Sequence, residues 1–389
     1  MRIKNALYLT LLMLIACFAT AQVPCGPNIT ASPTLFVNWQ HFHYDLAQTG
    51  CNPYESVLNP TTVGGLTLGW KYPMQNGVAH SSPAVANGVV YIGSYDFNIY
   101  AINANSGLLI WRYQTEDEVV SSPAVADGVV YTCSLDGNIY ALSTNGGQLL
   151  WKYSVRACYS SPTVANGVVY IGGFTGLSAL DAIHGTLIWE YPILDGIGYS
   201  AAAFANGVVY VNDLDNYIDA IDATTGVLVW KRYVGCGRCT TIETSPAVAG
   251  NIVYVAGELD VFALNATTGE VVWEYPIGGT SSPAVANDVV YGGSYDYLFA
   301  LNASTGVLLW QYLTPGIVNS SPAVANGVVY FGVNNILMPD AYALDAGSGR
   351  LLWNYYVSDP VDSSPAVANG VVYVGSRDGN LYAFHLANH

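Results

Sequence analysis

From residue 81 onward, short apolar runs alternate with polar turns, and the pattern returns at a period close to that of propeller and other repeat arrays. Its first block is Ser81-Ser82-Pro83-Ala84-Val85-Ala86-Asn87-Gly88-Val89-Val90-Tyr91, and it recurs almost unchanged from Ser121, Ser160, Ser281, Ser320 and Ser363. Looser copies begin at Ser200 and Thr244, which makes eight. Within one repeat the alternation predicts four short strands: A at Pro83–Ala86, B at Val89–Gly93, C at Ile99–Asn103 and D at Leu108–Tyr113. Asn87-Gly88, Asp127-Gly128, Asn166-Gly167 and Asn326-Gly327 suit tight hairpin turns, whose central residues need positive φ.

A second block follows each of the first seven copies. Ala101-Ile102-Asn103-Ala104-Asn105-Ser106-Gly107 leads to Trp111, and equivalents lead to Trp151, Trp189, Trp230, Trp273, Trp310 and Trp353. The eighth copy stops at Ala383-Phe384-His385-Leu386 without its tryptophan. The missing piece stands upstream, as Val63-Gly64-Gly65-Leu66-Thr67-Leu68-Gly69-Trp70. Four strands per repeat and a displaced last strand predict an all-β, eight-bladed propeller of four-stranded antiparallel blades, its ring closed by the N-terminal strand. The expected organisation is an export signal at 1–21, an outer strap at 22–62 and the propeller at 63–389.

The leader has Arg2 and Lys4 before an apolar stretch from Ala6 to Ala16, then Ala19-Thr20-Ala21 ahead of Gln22. That is the form of a secretory signal peptide. Leu14-Ile15-Ala16-Cys17 also fits a lipobox, in which Cys17 would carry a lipid anchor; both readings send the chain out of the cytoplasm, to the periplasm, cell envelope or medium. The net charge of −16 becomes two units more negative once Arg2 and Lys4 leave. So acidic a chain repels phosphate backbones and anionic lipid, which argues against nucleic-acid partners. No later segment is long and apolar enough for a transmembrane span, so the apolar excess is expected inside the strands.

Outside the leader stand Cys25, Cys51, Cys133, Cys158, Cys236 and Cys239, an even number that suits disulfides in an exported protein. Connectivity stays open, with Cys25–Cys51 and Cys236–Cys239 as local pairs and Cys133–Cys158 as a rivet between two blades.

The segment Ala220-Ile221-Asp222-Ala223-Thr224-Thr225-Gly226 with Trp230 resembles the tryptophan-docking motif of pyrroloquinoline-quinone-like propellers. Asn38-Trp39, Asp45, Thr49-Gly50 and Asn52-Pro53 are similar to the opening of such proteins. The resemblance covers nearly the whole mature chain. It implies a packing role for Trp70, Trp111, Trp151, Trp189, Trp230, Trp273, Trp310 and Trp353. It leaves function open, because that family holds both quinone-dependent alcohol and sugar dehydrogenases and non-enzymatic scaffolds such as the lipoprotein of the outer-membrane barrel-assembly machine.

The dehydrogenases of that family use pyrroloquinoline quinone with Ca²⁺, a carboxylate base and often an adjacent Cys-Cys disulfide. No adjacent pair exists here; Cys236-Gly237-Arg238-Cys239 reads as a small loop-pinning disulfide, and Thr240 stands where a c-type haem site needs His. Asp213-Leu214-Asp215-Asn216 lacks the length and closing Glu of a calcium loop. Asp96, Asp136, Asp215, Asp296 and Asp378 recur at one repeat position, as turn residues do. His41 and His43 are too few for a metal site, and no serine of the Ser-Ser-Pro blocks carries a nucleophile motif. No catalytic residue, metal or cofactor is therefore assigned, and quinone with Ca²⁺ remains the alternative.

Specificity in such a ring must come from positions that break the repeat. The A–B and C–D connections are nearly invariant, whereas the D–A and B–C connections vary and share the opposite face. That face carries Glu116, Asp117, Glu118, Arg156, Asp195, Arg238, Glu243, Asp340 and Asp362. These are the expected contacts for a protein, peptide or polysaccharide partner of a non-catalytic scaffold.

Overall fold

A computed structural model describes residues 38–78, 80–235, 244–257, 259–335, 338 and 340–387. Its sheets are eight antiparallel blades in the order A-B-C-D, the first formed by Ala84–Ala86, Val89–Gly93, Asn98–Asn103 and Leu109–Gln114. Each A strand touches the next one, from Ala84–Ala86 round to Ala366–Ala368, and the last touches the first. The chain is an eight-bladed propeller with a closed ring. The Asn-Gly turns adopt the positive φ the sequence requires, with Asn87 at 50° and Gly88 at 76°.

Closure follows the displaced strand. Leu66–Pro73 pairs antiparallel with Asn380–Leu386, with Leu66 opposite Leu386 and Trp70 opposite Ala383. A bulge precedes the tryptophan here, and at the matching place in each of the other blades. Such an extra residue re-aims the side chain that follows. Each indole then reaches the next blade: Trp230 Nε1 donates to Ala266 O at 2.9 Å, and Trp353, in the seventh blade, donates to Leu66 O at 3.0 Å on the closing strand. Glycine is required beneath the ring. Gly226 holds φ +71°, and a Cβ there would lie 2.7 Å from the Trp189 indole.

The same bulge turns aliphatic residues outward. Ile110, Leu150, Ile188 and Val229 are all about half exposed. The apolar excess therefore extends beyond the core onto the outer rim, because strand D packs on its neighbour blade through one face alone.

The serines of the repeat sew the blades together around the channel. The N–H of Ser82 donates to Ser122 Oγ, that of Ser122 to Ser161, Ser245 to Ser282, Ser282 to Ser321 and Ser321 to Ser364, all at 2.9–3.0 Å. Ala201 N–H joins Ser245 Oγ at 2.8 Å, and Ser364 N–H returns to Ser82. The round is broken once, at Ser161, because Ala201 offers no hydroxyl.

The described part of the expected strap, residues 38–62, is internal and not outer. Its backbone carbonyls accept the inner-edge amides of six A strands: Trp39 from Val85, Gln40 from Val125, Leu46 from Phe204, Ala47 from Val248, Thr49 from Val285 and Gly50 from Val324. Gln48 Nε2 reaches Thr163 in the third blade, and Asn52 Nδ2 reaches Val367 O in the eighth. Cys51–Asn52 forms a short parallel strand against Ala323–Ala325. The innermost strands of a propeller present unpaired edges, and this segment satisfies them. It sits toward the invariant A–B turns, since Asn87 N–H meets Asn38 Oδ1 and Gly370 N–H meets Glu55 Oε2.

Candidate functional site

With one end filled, the channel is a cup of about 330 Å³ that opens on the variable face. Phe42 of the strap reaches it, stacked on His43. Its wall comes from one repeat position, the residue immediately before the first hydroxyl residue of each Ser-Ser-Pro block. That residue is His80, Val120, Tyr159, Tyr199, Thr280, Asn319 and Asp362 in seven blades, and all seven line the cup. The eighth, Glu243, lies outside the described residues. A position inside a near-invariant block that changes in nearly every blade was a legible signal. Variation in the loops is larger and masks it.

The wall is two-sided. Blades one to four contribute His80, Val120, Tyr159 and Tyr199. The rings of Tyr159 and Tyr199 are 5.2 Å apart, and those of His80 and Tyr199 4.8 Å. Blades six to eight contribute polar groups. Thr280 Oγ1 donates to Val318 O at 2.8 Å, and Asp362 accepts from Asn319 at 3.3 Å and Asn334 at 3.2 Å while pairing with Arg377 at 2.6 Å. Burial lowers the His80 pKa, with Asp362 opposing and Arg377 reinforcing the shift, so His80 is a neutral ring at pH 7. Six serines of the hydrogen-bonded round also face the cup: Ser122, Ser161, Ser245, Ser282, Ser321 and Ser364. Each Oγ accepts a neighbour's amide, and its own proton has no acceptor among the described residues.

Of the sequence-derived contacts, Asp362 alone among the described ones reaches the cup. Glu116, Asp117, Glu118, Arg156 and Asp195 lie outside its lining. Glu116 is exposed and 3.5 Å from Lys152, Arg156 is exposed at φ 70°, and Asp195 is exposed with its pKa raised by a hydrogen bond and repulsion from Asp215. Asp340 is a correction. It is fully buried, accepts the Val357 amide at 3.2 Å, and its pKa is pushed up to about 7 by burial, so it offers nothing to a partner. Arg238, Cys236 and Cys239 lie outside the described residues. Cys133 and Cys158 form a disulfide with Cα atoms 5.7 Å apart, riveting blades two and three. Cys51 is also disulfide-bonded, and Cys25 lies outside the described residues.

The recurrent aspartates do more than shape their own turns. Asp96 takes the Asn98 amide and the Tyr100 hydroxyl, and also the Gln75 amide from the eighth blade. Asp136 does the same with Asn138, Tyr140 and Glu116. In blade four this device is replaced: Lys231 pairs with buried Asp213 at 2.6 Å and buried Asp219 at 3.1 Å, and burial raises the Asp219 pKa to about 6. His41 and His43 are buried in the strap, and burial lowers both to about 4.

Pyrroloquinoline quinone, implied by the fold, carries three carboxylates, and the dehydrogenases hold Ca²⁺ beside it. The cup's described lining has no Lys or Arg, and its one carboxylate, Asp362, is already committed to Arg377. No group of three His, Cys, Asp or Glu among the described residues could hold a metal. The described residues of the cup do not fit the cofactor.

A ring of tryptophan-docked blades around a channel defines the quinoprotein-like class of propeller. Within that class, the family described as "Outer membrane protein assembly factor BamB" matches residues 67–158, 135–282, 278–338 and 337–388, and the chain belongs to it. Over 224 residues it is 35% identical to Outer membrane protein assembly factor BamB of Escherichia coli strain K12, an alignment that takes in 53% of this chain and 55% of that protein. The chain spans about half the length of that relative, and 37% and 18% of two other curated relatives. Among solved structures, BamB from Moraxella catarrhalis superposes with a TM-score of 0.71 at 22% identity, covering 83% of this chain and 98% of that one. Quinohemoprotein alcohol dehydrogenase from Comamonas testosteroni gives 0.76 at 16% identity, covering 90% and 80%. At these identities the structures bear on the fold alone. No helix among the described residues is long and apolar enough to cross a membrane.

Proposed function

We infer that this chain is an exported, non-catalytic scaffold that holds a protein, peptide or polysaccharide partner on its variable loop face. The observation that carries the reading is the one-sided distribution of variation. Both ends of every hairpin on the opposite face are fixed by turn and docking chemistry, while the loop face departs from the repeat and surrounds the open end of the channel. The similarity to an outer-membrane assembly factor supports a partner-binding role in the envelope. The mismatch between the cup and the quinone weighs against the dehydrogenase alternative.

A photo-crosslinking residue at Glu116 or Arg156, on the loop face, should trap a discrete partner in the native envelope. The same residue at Leu150, on the outer rim, should not. Equal trapping from both positions would contradict the assignment of the face. Saturable binding of pyrroloquinoline quinone with Ca²⁺, accompanied by dye reduction with alcohols or sugars, would replace the scaffold with the enzyme.

A further inference from the structure

The cup has a chemistry of its own, separate from the exposed charges of the loop rim. One half-wall is apolar and aromatic, built on Tyr159, Tyr199 and a neutral His80. The other half-wall offers fixed hydrogen-bonding groups from Thr280, Asn319 and Asp362. Between them the serine round presents hydroxyl protons that have no acceptor among the described residues, since every one of those oxygens already accepts an amide. Unused donors in a half-enclosed site favour a ligand rich in acceptor oxygens.

Charge narrows the class. The chain carries a net charge of −16, and the described lining has no Lys or Arg to receive an anion. A polycarboxylate or phosphate ester would enter against the field and meet no Lys or Arg in the described lining. A cation would meet, in the described lining, a single carboxylate already paired with Arg377. A neutral ligand with one apolar face and several hydroxyls matches each feature: the apolar face lies on a tyrosine ring, and the hydroxyls accept from serine and donate to Asp362 and the Asn319 carbonyl. Pyranose rings have that form, and the cup's volume lies at the small end of the range for ligand pockets.

We propose that the cup binds one neutral pyranose unit, the terminal sugar of a glycan, between the Tyr159–Tyr199 wall and the Thr280–Asn319–Asp362 wall. This rests on the loop face being the binding face and assigns a ligand to its centre. Asp362 is held by Arg377, Asn319 and Asn334, so its free lone pairs are fixed before a ligand arrives. Such preorganisation lowers the ordering cost of binding. The closed strap end means the sugar enters and leaves by one mouth, so an internal residue of a long chain cannot thread through.

The test uses the exported chain and the methyl glycosides of glucose, galactose, mannose and N-acetylglucosamine, read by saturation-transfer NMR and calorimetry. At least one should bind with unit stoichiometry and with its ring protons in contact with tyrosine. Tyr159→Ala and Asn319→Ala should each weaken it roughly tenfold or more, the cost of losing one stacking face or one hydrogen bond to a polar ligand. Their melting temperatures should stay close to that of the parent, because Tyr159 and Asn319 are both exposed outside the packed core. Leu150→Ala, on the outer rim away from the loop face, should change nothing. No binding by any of the four glycosides would overturn the proposal, as would binding that survives both cup substitutions. Crosslinking from Glu116 is read in parallel: if the partner is still trapped while no glycoside binds, the cup assignment alone falls, and if trapping also loses its preference for the loop face, the scaffold reading falls with it.

Discussion

The backbone N–H of Ser364 donates to Ser82 Oγ at 2.9 Å, joining the eighth blade to the first across most of the chain. The bond is one stitch in a round that passes through every blade and is left open only between Ser161 and Ala201. That opening is a natural place for a hydroxyl. Ala201→Ser should complete the round and raise the melting temperature by about 1–2 °C, since a net hydrogen bond contributes about 1 kcal/mol and a domain of this size shifts little per kcal/mol. Ser282→Ala, which removes an existing stitch and strands the Ser245 amide, should lower it by a similar or larger amount. Differential scanning calorimetry checks both signs.

The strap histidines set a pH dependence. His41 and His43 have native pKa values of about 4, against 6.5 for an imidazole free in water. Between those values the unfolded chain binds more protons than the native one, so this contribution is fully present above pH 6.5 and is lost as the pH falls toward 4. It amounts to about 3 kcal/mol for each ring at most. Asp45 works against it, because burial raises its pKa to about 6 and the native state gains protons over part of the same range. Both imidazoles should titrate only near pH 4 by NMR. In denaturant melts, His41→Gln/His43→Gln should show a weaker loss of stability than the parent between pH 6.5 and 4.5.

Asp340 carries the opposite sign. Its native pKa of about 7 lies far above 3.8, so its carboxylate is charged and buried at pH 8 but protonated at pH 5. The resulting destabilisation grows as the pH rises from about 4 through 7. Asp340→Asn keeps an acceptor for the Val357 amide and removes the charge. Its melting temperature should exceed the parent's by several degrees at pH 8 and by clearly less at pH 5; an equal gain at both values would show that ionisation is not the cause.

Much of the fold was legible because a blade is a local object. The four strands, the Asn-Gly turns and the tryptophan spacing all lie within one repeat, and the missing last tryptophan pointed to Trp70. The strap was not legible in the same way. Residues 39–50 have no repeat to be compared with, and they are held mainly through backbone carbonyls that any side chains would supply. Asp340 follows an insertion, and an insertion in sequence reads as an exposed loop, yet the carboxylate is enclosed beside Val357. The cup was half visible: Asp362 and Glu243 stood among the expected contacts, but the equivalence of His80, Tyr159, Tyr199, Thr280 and Asn319 requires the blades to be stacked in register before the position stands out.

All of this depends on the closing strand. Leu66–Pro73 supplies the outer edge of the last blade, and the Trp353 indole needs Leu66 O as its acceptor. A chain lacking residues 63–73 but keeping the strap should show no cooperative thermal transition and should expose its tryptophans to solvent quenchers. If that shortened protein melted cooperatively as a monomer at the parent's temperature, the ring would not be closed by this strand, and the cup at its centre would lose its structural basis.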